Sequence, residues 1–399
     1  TLDGSASSDA DTDPLGYSWN QLSGPGVTLS DANDPMPSFT ASQVSSQQAL
    51  VFELTVDDGT DSDSDTVTVT VNDVSTGGGT LADAEFQQIA LSNVSSNFYT
   101  TVTVGPDGKL YALDIAGNIH RWSINPDGTL ANGEQVITTI TDAETDNRLS
   151  IGLAFDPTAT AGNLIAWATH VDGGQGGGDK FSGKITRLSG PDLGTGQDFV
   201  TGLPRSTGDH VVNSLAFGPA GDLYVNVGSM SAMGALDGSW NDTETLLSAA
   251  TLRVDLDAIT SPPLDVQIFG QGVRNAYDLV WHSNGYLYVP TNGSAPGNTP
   301  ASDAADVCPG GSTYSGPSVP ALTSVSEQPD YLFLVEEGGY YGHPNPTLCN
   351  SVLNGGNPTS GNDPFEVGEY PSGSAADADY SGAVLDFAEF GSANSHSPN

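Results

Sequence analysis

Two short strings hold the residues best suited to chemistry. Gly208-Asp209-His210 sets an imidazole beside a carboxylate, shortly before the apolar run Leu215-Ala216-Phe217. An imidazole titrates near neutral pH and can serve as a general base, with Asp209 as its companion. The same pattern also suits a histidine that only hydrogen-bonds its own loop. Gly272-Val273-Arg274-Asn275 stands in the matching place before Leu279-Val280-Trp281. A guanidinium fork beside an amide suits a planar, multiply carboxylated ligand. It equally suits an arginine that satisfies backbone carbonyls inside the fold. Cys308 and Cys349 fit neither a Cys-x-x-Cys redox pair nor a zinc site. They are expected to form one disulfide that pins a long insertion, with two buried free thiols as the alternative.

The elements that must position these groups are strands. Glycine and proline are abundant, apolar and polar residues alternate, and helical periodicity is nearly absent. Thr103-Val104-Gly105-Pro106-Asp107-Gly108-Lys109-Leu110-Tyr111 reads as strand, tight turn, strand. The pattern recurs at Leu153-Ala154-Phe155-Asp156-Pro157 with Gly162, at Leu215 to Tyr224 with Gly221, and at Leu279 to Tyr288 with Gly285. Proline fixes φ on entry to such a turn, and glycine supplies positive φ at its exit. These glycines lie about fifty to sixty-five residues apart, the spacing of four-stranded propeller blades with loop insertions. The fold class expected is therefore all-β: a small sandwich, then a six-bladed propeller that this chain carries incompletely at its C-terminal side. His210 and Arg274 each precede a blade's first strand, so a propeller would bring both to one channel mouth.

The first seventy or so residues have another pattern. Ala49 to Val56 and Thr66 to Val71 read as two strands joined at Asp57-Asp58-Gly59, the second with one valine face for a core. Asp9, Asp11 and Asp13 alternate like calcium ligands, but the glycine and distal glutamate of an EF-hand are missing, which favours a solvated acidic loop. Leu2-Asp3-Gly4-Ser5, Asp13-Pro14-Leu15, Tyr17-Ser18-Trp19 and Leu54-Thr55-Val56-Asp57-Asp58-Gly59 together resemble a PKD-type immunoglobulin-like domain over residues 1–74. That resemblance implies a spacer or adhesive module. Residues 75–84, with Gly77-Gly78-Gly79, read as a linker, and 85–399 as the propeller.

A second resemblance covers that longer part. Asp209-His210 through Pro219 is similar to the histidine-bearing stretch of soluble quinone-dependent glucose and sorbosone dehydrogenases. Gly272-Val273-Arg274-Asn275 resembles their quinone-binding segment, and Gly338-Gly339-Tyr340-Tyr341-Gly342-His343-Pro344 resembles one of their turns. The resemblance implies a secreted oxidoreductase acting on a sugar or polysaccharide end. His210 would take the hydroxyl proton while hydride passes to pyrroloquinoline quinone (PQQ). Arg274, Asn275 and Asn292 would hold that cofactor, the backbone carbonyls of Gly293 and Ser294 would hold calcium, and an unidentified acceptor would take the electrons. Where the family commonly places an acidic partner for the histidine, this chain has Ser229. That departure, with the PKD-like module, favours an alternative: a propeller without redox chemistry that binds glycans or serves in adhesion or surface assembly.

Composition excludes other classes. Forty-nine acidic residues against nine basic ones give a formal charge of −40, which leaves no cationic surface for nucleic acid. No apolar run reaches the length of a membrane span. Such a charge points to salty or calcium-rich surroundings, because self-repulsion weakens a compact state when screening is low. Thermal midpoints should therefore rise from low to high sodium chloride at constant calcium. A midpoint that ignores salt contradicts this reading of the charge.

Overall fold

The structure is a computed structural model. It describes residues 1–71 and 91–351, apart from 10, 12, 42–47, 92, 146, 175, 239–241, 257–263, 303–305, 309–310, 315–317, 326–327 and 329, together with residues 385–386. The expected linker, 75–84, lies outside the described residues. The chain divides into two compact units, Thr1–Ala90 and Leu91–Asn399.

In the first unit β1 (Gly16–Ser23), β2 (Gln48–Asp57) and β3 (Ser62–Val71) form an antiparallel sheet in that order. Alternation along β2 sends Leu50, Phe52 and Leu54 inward against Leu2 and Trp19. The expected valine face of β3 is covered only in part. Val69 and Val71 pack on this core, while Val67 on the edge strand is 39% exposed. Asp9 Oδ1 accepts the backbone N–H groups of Asp11 and Asp13, so this acidic loop closes on itself.

The second unit is built from four-stranded antiparallel sheets, each a meander. The first contains β4 (Tyr99–Val104), β5 (Lys109–Asp114), β6 (Ile119–Ser123) and β7 (Gln135–Ile137). A one-turn helix, α1 (Thr139–Ala143), leads to β8 (Arg148–Phe155), β9 (Ile165–Asp172), β10 (Gly183–Ser189) and β11 (Thr195–Leu203). The third holds β12 (Val212–Phe217), β13 (Leu223–Val227), β14 (Ala250–Val254) and β15 (Val266–Gln271). The fourth is interrupted. Between β16 (Val280–Trp281) with β17 (Leu287–Thr291) and β20 (Tyr331–Val335) runs an insertion carrying β18 (Gly297–Thr299) and β19 (Leu322–Val325). Then β21 (Gly339–Tyr340) joins the third sheet in parallel beside β15, and β22 (Leu385–Asp386) closes the fourth.

All four repeats found in the sequence are the hairpin between the first and second strands of a sheet. The first strands stand side by side in chain order: β4 beside β8, β8 beside β12, β12 beside β16. That is the radial arrangement of propeller blades. Three apolar seams fill the spaces between them, around Tyr111 and Leu153, around Trp167 and Leu223, and around Tyr224 and Phe333. The turn glycines serve these seams. A Cβ on Gly105 would come within 2.9 Å of both Tyr111 and Phe155, and one on Gly218 would meet Tyr224 at 2.7 Å and Trp281 at 3.2 Å.

Hydrogen bonds stitch the first strands together. Thr100 Oγ1 donates to Ser150 O, and Thr169 Oγ1 donates to Asn213 O while accepting from Gly152 N. Ser214 N reaches Tyr277 O at 3.1 Å. Cys308 and Cys349 form a disulfide with Cα atoms 5.5 Å apart, tying the insertion to the short 3-10 helix Pro346–Leu348. A Cβ on Gly152 would sit 2.9 Å from the Ser214 Cα atom and 2.9 Å from Thr169 Oγ1. Gly152→Ala should therefore cost about 1–3 kcal/mol, as overpacking does in tight interiors. Gly162→Ala, where an added Cβ meets nothing within 4 Å, is the control. Urea unfolding measures both, and equal midpoints would refute the close packing of the second and third blades.

Candidate functional site

Antiparallel pairing brings one end of the third and fourth blades to a common place. His210 precedes β12, and Gly228 and Ser229 follow β13, whose last residue Val227 pairs with Val212. Arg274 and Asn275 follow β15, and Asn292 follows β17 and bridges back to Asn275. Gly228 marks how tightly these segments meet: a Cβ there would lie 2.7 Å from Asn275 Oδ1 and 2.8 Å from the Cβ of His210.

His210 is 4% exposed. Its Nδ1 lies 2.9 Å from Ser229 Oγ and 3.1 Å from Ser229 O. Ser229 Oγ donates its own proton to Ser231 O, so it receives the Nδ1 proton, which assigns the lone pair of the neutral ring to Nε2. Burial pushes the imidazole pKa well below its ordinary value, and the charge of Arg274 pushes it further. Asp209 is exposed, and the partner of His210 Nδ1 is Ser229. Asp209 instead acts on Arg274, whose pKa burial lowers to about 10 against the opposing pull of Asp209 and Glu244.

Arg274 has a φ of 21°, rare for a residue with a side chain, and its guanidinium is turned inward. Nε donates to Ala232 O at 3.1 Å and Nη1 to Gly293 O at 2.7 Å, while its own carbonyl accepts Ser229 N at 2.6 Å. Asn275 Oδ1 accepts Asn213 Nδ2. Both carbonyls expected to bind calcium thus have partners already: Gly293 O holds Arg274, and Ser294 O accepts Gln328 N. Arg274, Asn292, Gly293, Ser294, Gln328 and His343 line a cavity of about 10 Å³. Asn292 Nδ2 is buried there with no hydrogen-bond partner.

Two further groups were not legible in the sequence. Glu244, 3% exposed, accepts from Met230 N, Ser231 N, both Ser231 and Ser248 hydroxyls, and His343 Nε2. Burial raises its pKa, yet the charge of His343 and these hydrogen bonds outweigh that and hold it below the usual carboxylate range. The turn containing His343 was the only available signal. In the second blade, ligand atoms of Glu144, His170 and Asp198 lie within 4.8 Å of one another. That cluster already carries its positive charge. Lys184 Nζ bridges Glu144 and Asp198, and Arg148 Nε donates to His170 Nδ1 at 2.9 Å. The His170 lone pair is thereby used, and its Nε2 donates to Thr186 Oγ1.

Burial, then Arg148, pushes the His170 pKa down to about 3. His170 and His210 therefore both stay neutral in the fold while the unfolded chain takes up protons below about pH 6.5. Their contribution to stability is complete above that value and declines as pH falls toward the folded pKa values. At high salt, the urea midpoint should be lower near pH 5.5 than near pH 7.5. Identical midpoints would contradict these buried neutral rings.

A PKD-domain family model matches residues 1–71, placing a PKD domain at the N-terminus. No curated protein matches the chain. Among solved structures, the second unit's architecture is similar to a putative oxidoreductase (glucose dehydrogenase) from Thermus thermophilus. That match has 21% identity and a TM-score of 0.37, covering 66% of this chain and 68% of that one. The holo PQQ domain of pyranose dehydrogenase from Coprinopsis cinerea matches with 13% identity, 63% and 55% coverage and a TM-score of 0.38. The calcium-binding protein regucalcin from Agrobacterium tumefaciens matches with 14% identity, 61% and 64% coverage and a TM-score of 0.31.

Proposed function

We propose that the second unit is a propeller oxidoreductase that oxidises a hydroxyl of a sugar or polysaccharide end outside the cell, with PQQ as cofactor. The observation that carries this reading is the convergence of His210, Arg274 and Asn275 around Gly228 and Ser229. The donor chemistry suits an anionic quinone: Arg274 supplies charge, and Asn292 supplies a buried N–H without a partner. When bound, the quinone supplies a two-electron acceptor for hydride. His210, neutral and held by Ser229, would take the hydroxyl proton at Nε2. Ser229 orients the ring but cannot stabilise an imidazolium as a carboxylate would, which makes His210 a weaker base. Calcium is left out of these steps because the expected carbonyls hold Arg274 and Gln328. An extracellular setting agrees with the disulfide, which persists in oxidising compartments, and with the PKD domain. Among the described residues no helix is long and apolar enough to cross a membrane.

A second reading, a propeller that binds glycans without redox chemistry, is favoured by one specific observation. Arg274 spends two N–H groups on backbone carbonyls, and the adjoining cavity has the volume of one water. The redox reading requires that cavity to widen on binding. Full-length protein given PQQ and calcium should acquire the cofactor's absorbance and oxidise D-glucose. His210→Ala should lower turnover on the order of 100-fold or more while leaving quinone uptake in place. Wild-type protein that takes up no quinone overturns the redox reading.

A further inference from the structure

The imidazole of His343 differs from that of His210 in its partner. His343 is 3% exposed, and its Nε2 lies 3.0 Å from Glu244 Oε1. Glu244 is fixed by four other donors, two backbone N–H groups and two hydroxyls. A carboxylate only accepts, so the ring proton sits on Nε2 and the lone pair on Nδ1. That Nδ1 is buried and has no hydrogen-bond partner among the described residues. His343 lines the same cavity as Asn292, whose Nδ2 is also buried and unpaired. Native interiors leave few such atoms unpaired, and here an acceptor and a donor border one space.

A hydroxyl both donates and accepts, so it complements this pair. The cavity, about 10 Å³, admits one oxygen. Tyr331, Phe333 and Tyr341 supply its apolar wall. We propose that this cavity is a hydroxyl subsite for a carbohydrate ligand: His343 Nδ1 accepts from one ligand hydroxyl and Asn292 Nδ2 donates to it. Glu244 acts as a positioning residue that fixes the tautomer, the service Ser229 gives His210 without a charge. Arg274 borders the same cavity, and His210 is near enough to be influenced by His343. The subsite rests on the reading that this unit takes a carbohydrate, and not on quinone binding.

Nitrogen-15 NMR of histidine-labelled full-length protein tests this, with D-glucose as probe and glycerol as a smaller one. Ligand-free His343 should show the Nε2–H tautomer. Glucose should move its Nδ1 resonance saturably in the direction of an accepted hydrogen bond. Asn292→Ala should weaken that response at least tenfold, and Glu244→Gln should change the tautomer; both should keep the wild-type spectrum elsewhere. A ring protonated on Nδ1, or a resonance unmoved by either probe, means that the cavity holds water only and overturns the proposal. Quinone uptake is followed separately by absorbance. A glucose response without uptake leaves the subsite standing and removes the redox reading, whereas uptake without a response does the reverse.

Discussion

The first strands of neighbouring blades must approach almost backbone to backbone, and the rest of the second unit depends on that approach. At Gly152 the space for a side chain is taken by Ser214 and Thr169, and Thr169 Oγ1 bridges the two strands. Because the strands stand so close, their flanking segments also crowd together at one end. There Gly228 leaves room for His210 on one side and Asn275 on the other. The seams of Leu, Val and aromatic side chains stabilise the blades by burial, but they do not choose which residues meet. Glycine at the contact points does.

The site that results is almost dry, and its electrostatics follow from that. Two fixed charges, Arg274 and Glu244, are buried without being paired to each other. Each is satisfied locally, Arg274 by carbonyls and Glu244 by N–H and O–H donors, as buried charges must be. The two histidines differ because their partners differ. His210, with a serine and a nearby guanidinium, is kept neutral, whereas His343 has an ionised carboxylate on one nitrogen. A single buried arginine thus tunes one imidazole, and a single buried glutamate orients the other.

Much of this was readable from local chemistry. The strand–turn–strand repeats around Gly108, Gly162, Gly221 and Gly285 were visible because a tight turn is written in adjacent residues. The neighbourhood of His210 and Arg274 followed, since each precedes a blade's first strand. Cys308 and Cys349 were legible as a pair because they are the only cysteines. Glu244 was not legible: His343, its ring partner, is 99 residues away. Lys184 between Glu144 and Asp198 escaped for the same reason, because lateral pairing of strands creates the cluster. The engagement of the Gly293 and Ser294 carbonyls was hidden too, since backbone hydrogen bonding depends on how a chain curls and leaves no mark on residue type.

The central claim is that His210 and Asn275 face each other across Gly228 and are held there by packing. The most direct measurement is the nitrogen-15 spectrum of His210 in Gly228→Ala, compared with wild-type protein. An added Cβ would press on Asn275 Oδ1 and the His210 backbone, so the ring should lose its Ser229 partner and its resonances should move. His170, in the neighbouring blade, should keep its resonances and report an intact fold. A His210 signal unchanged by the substitution would contradict the account.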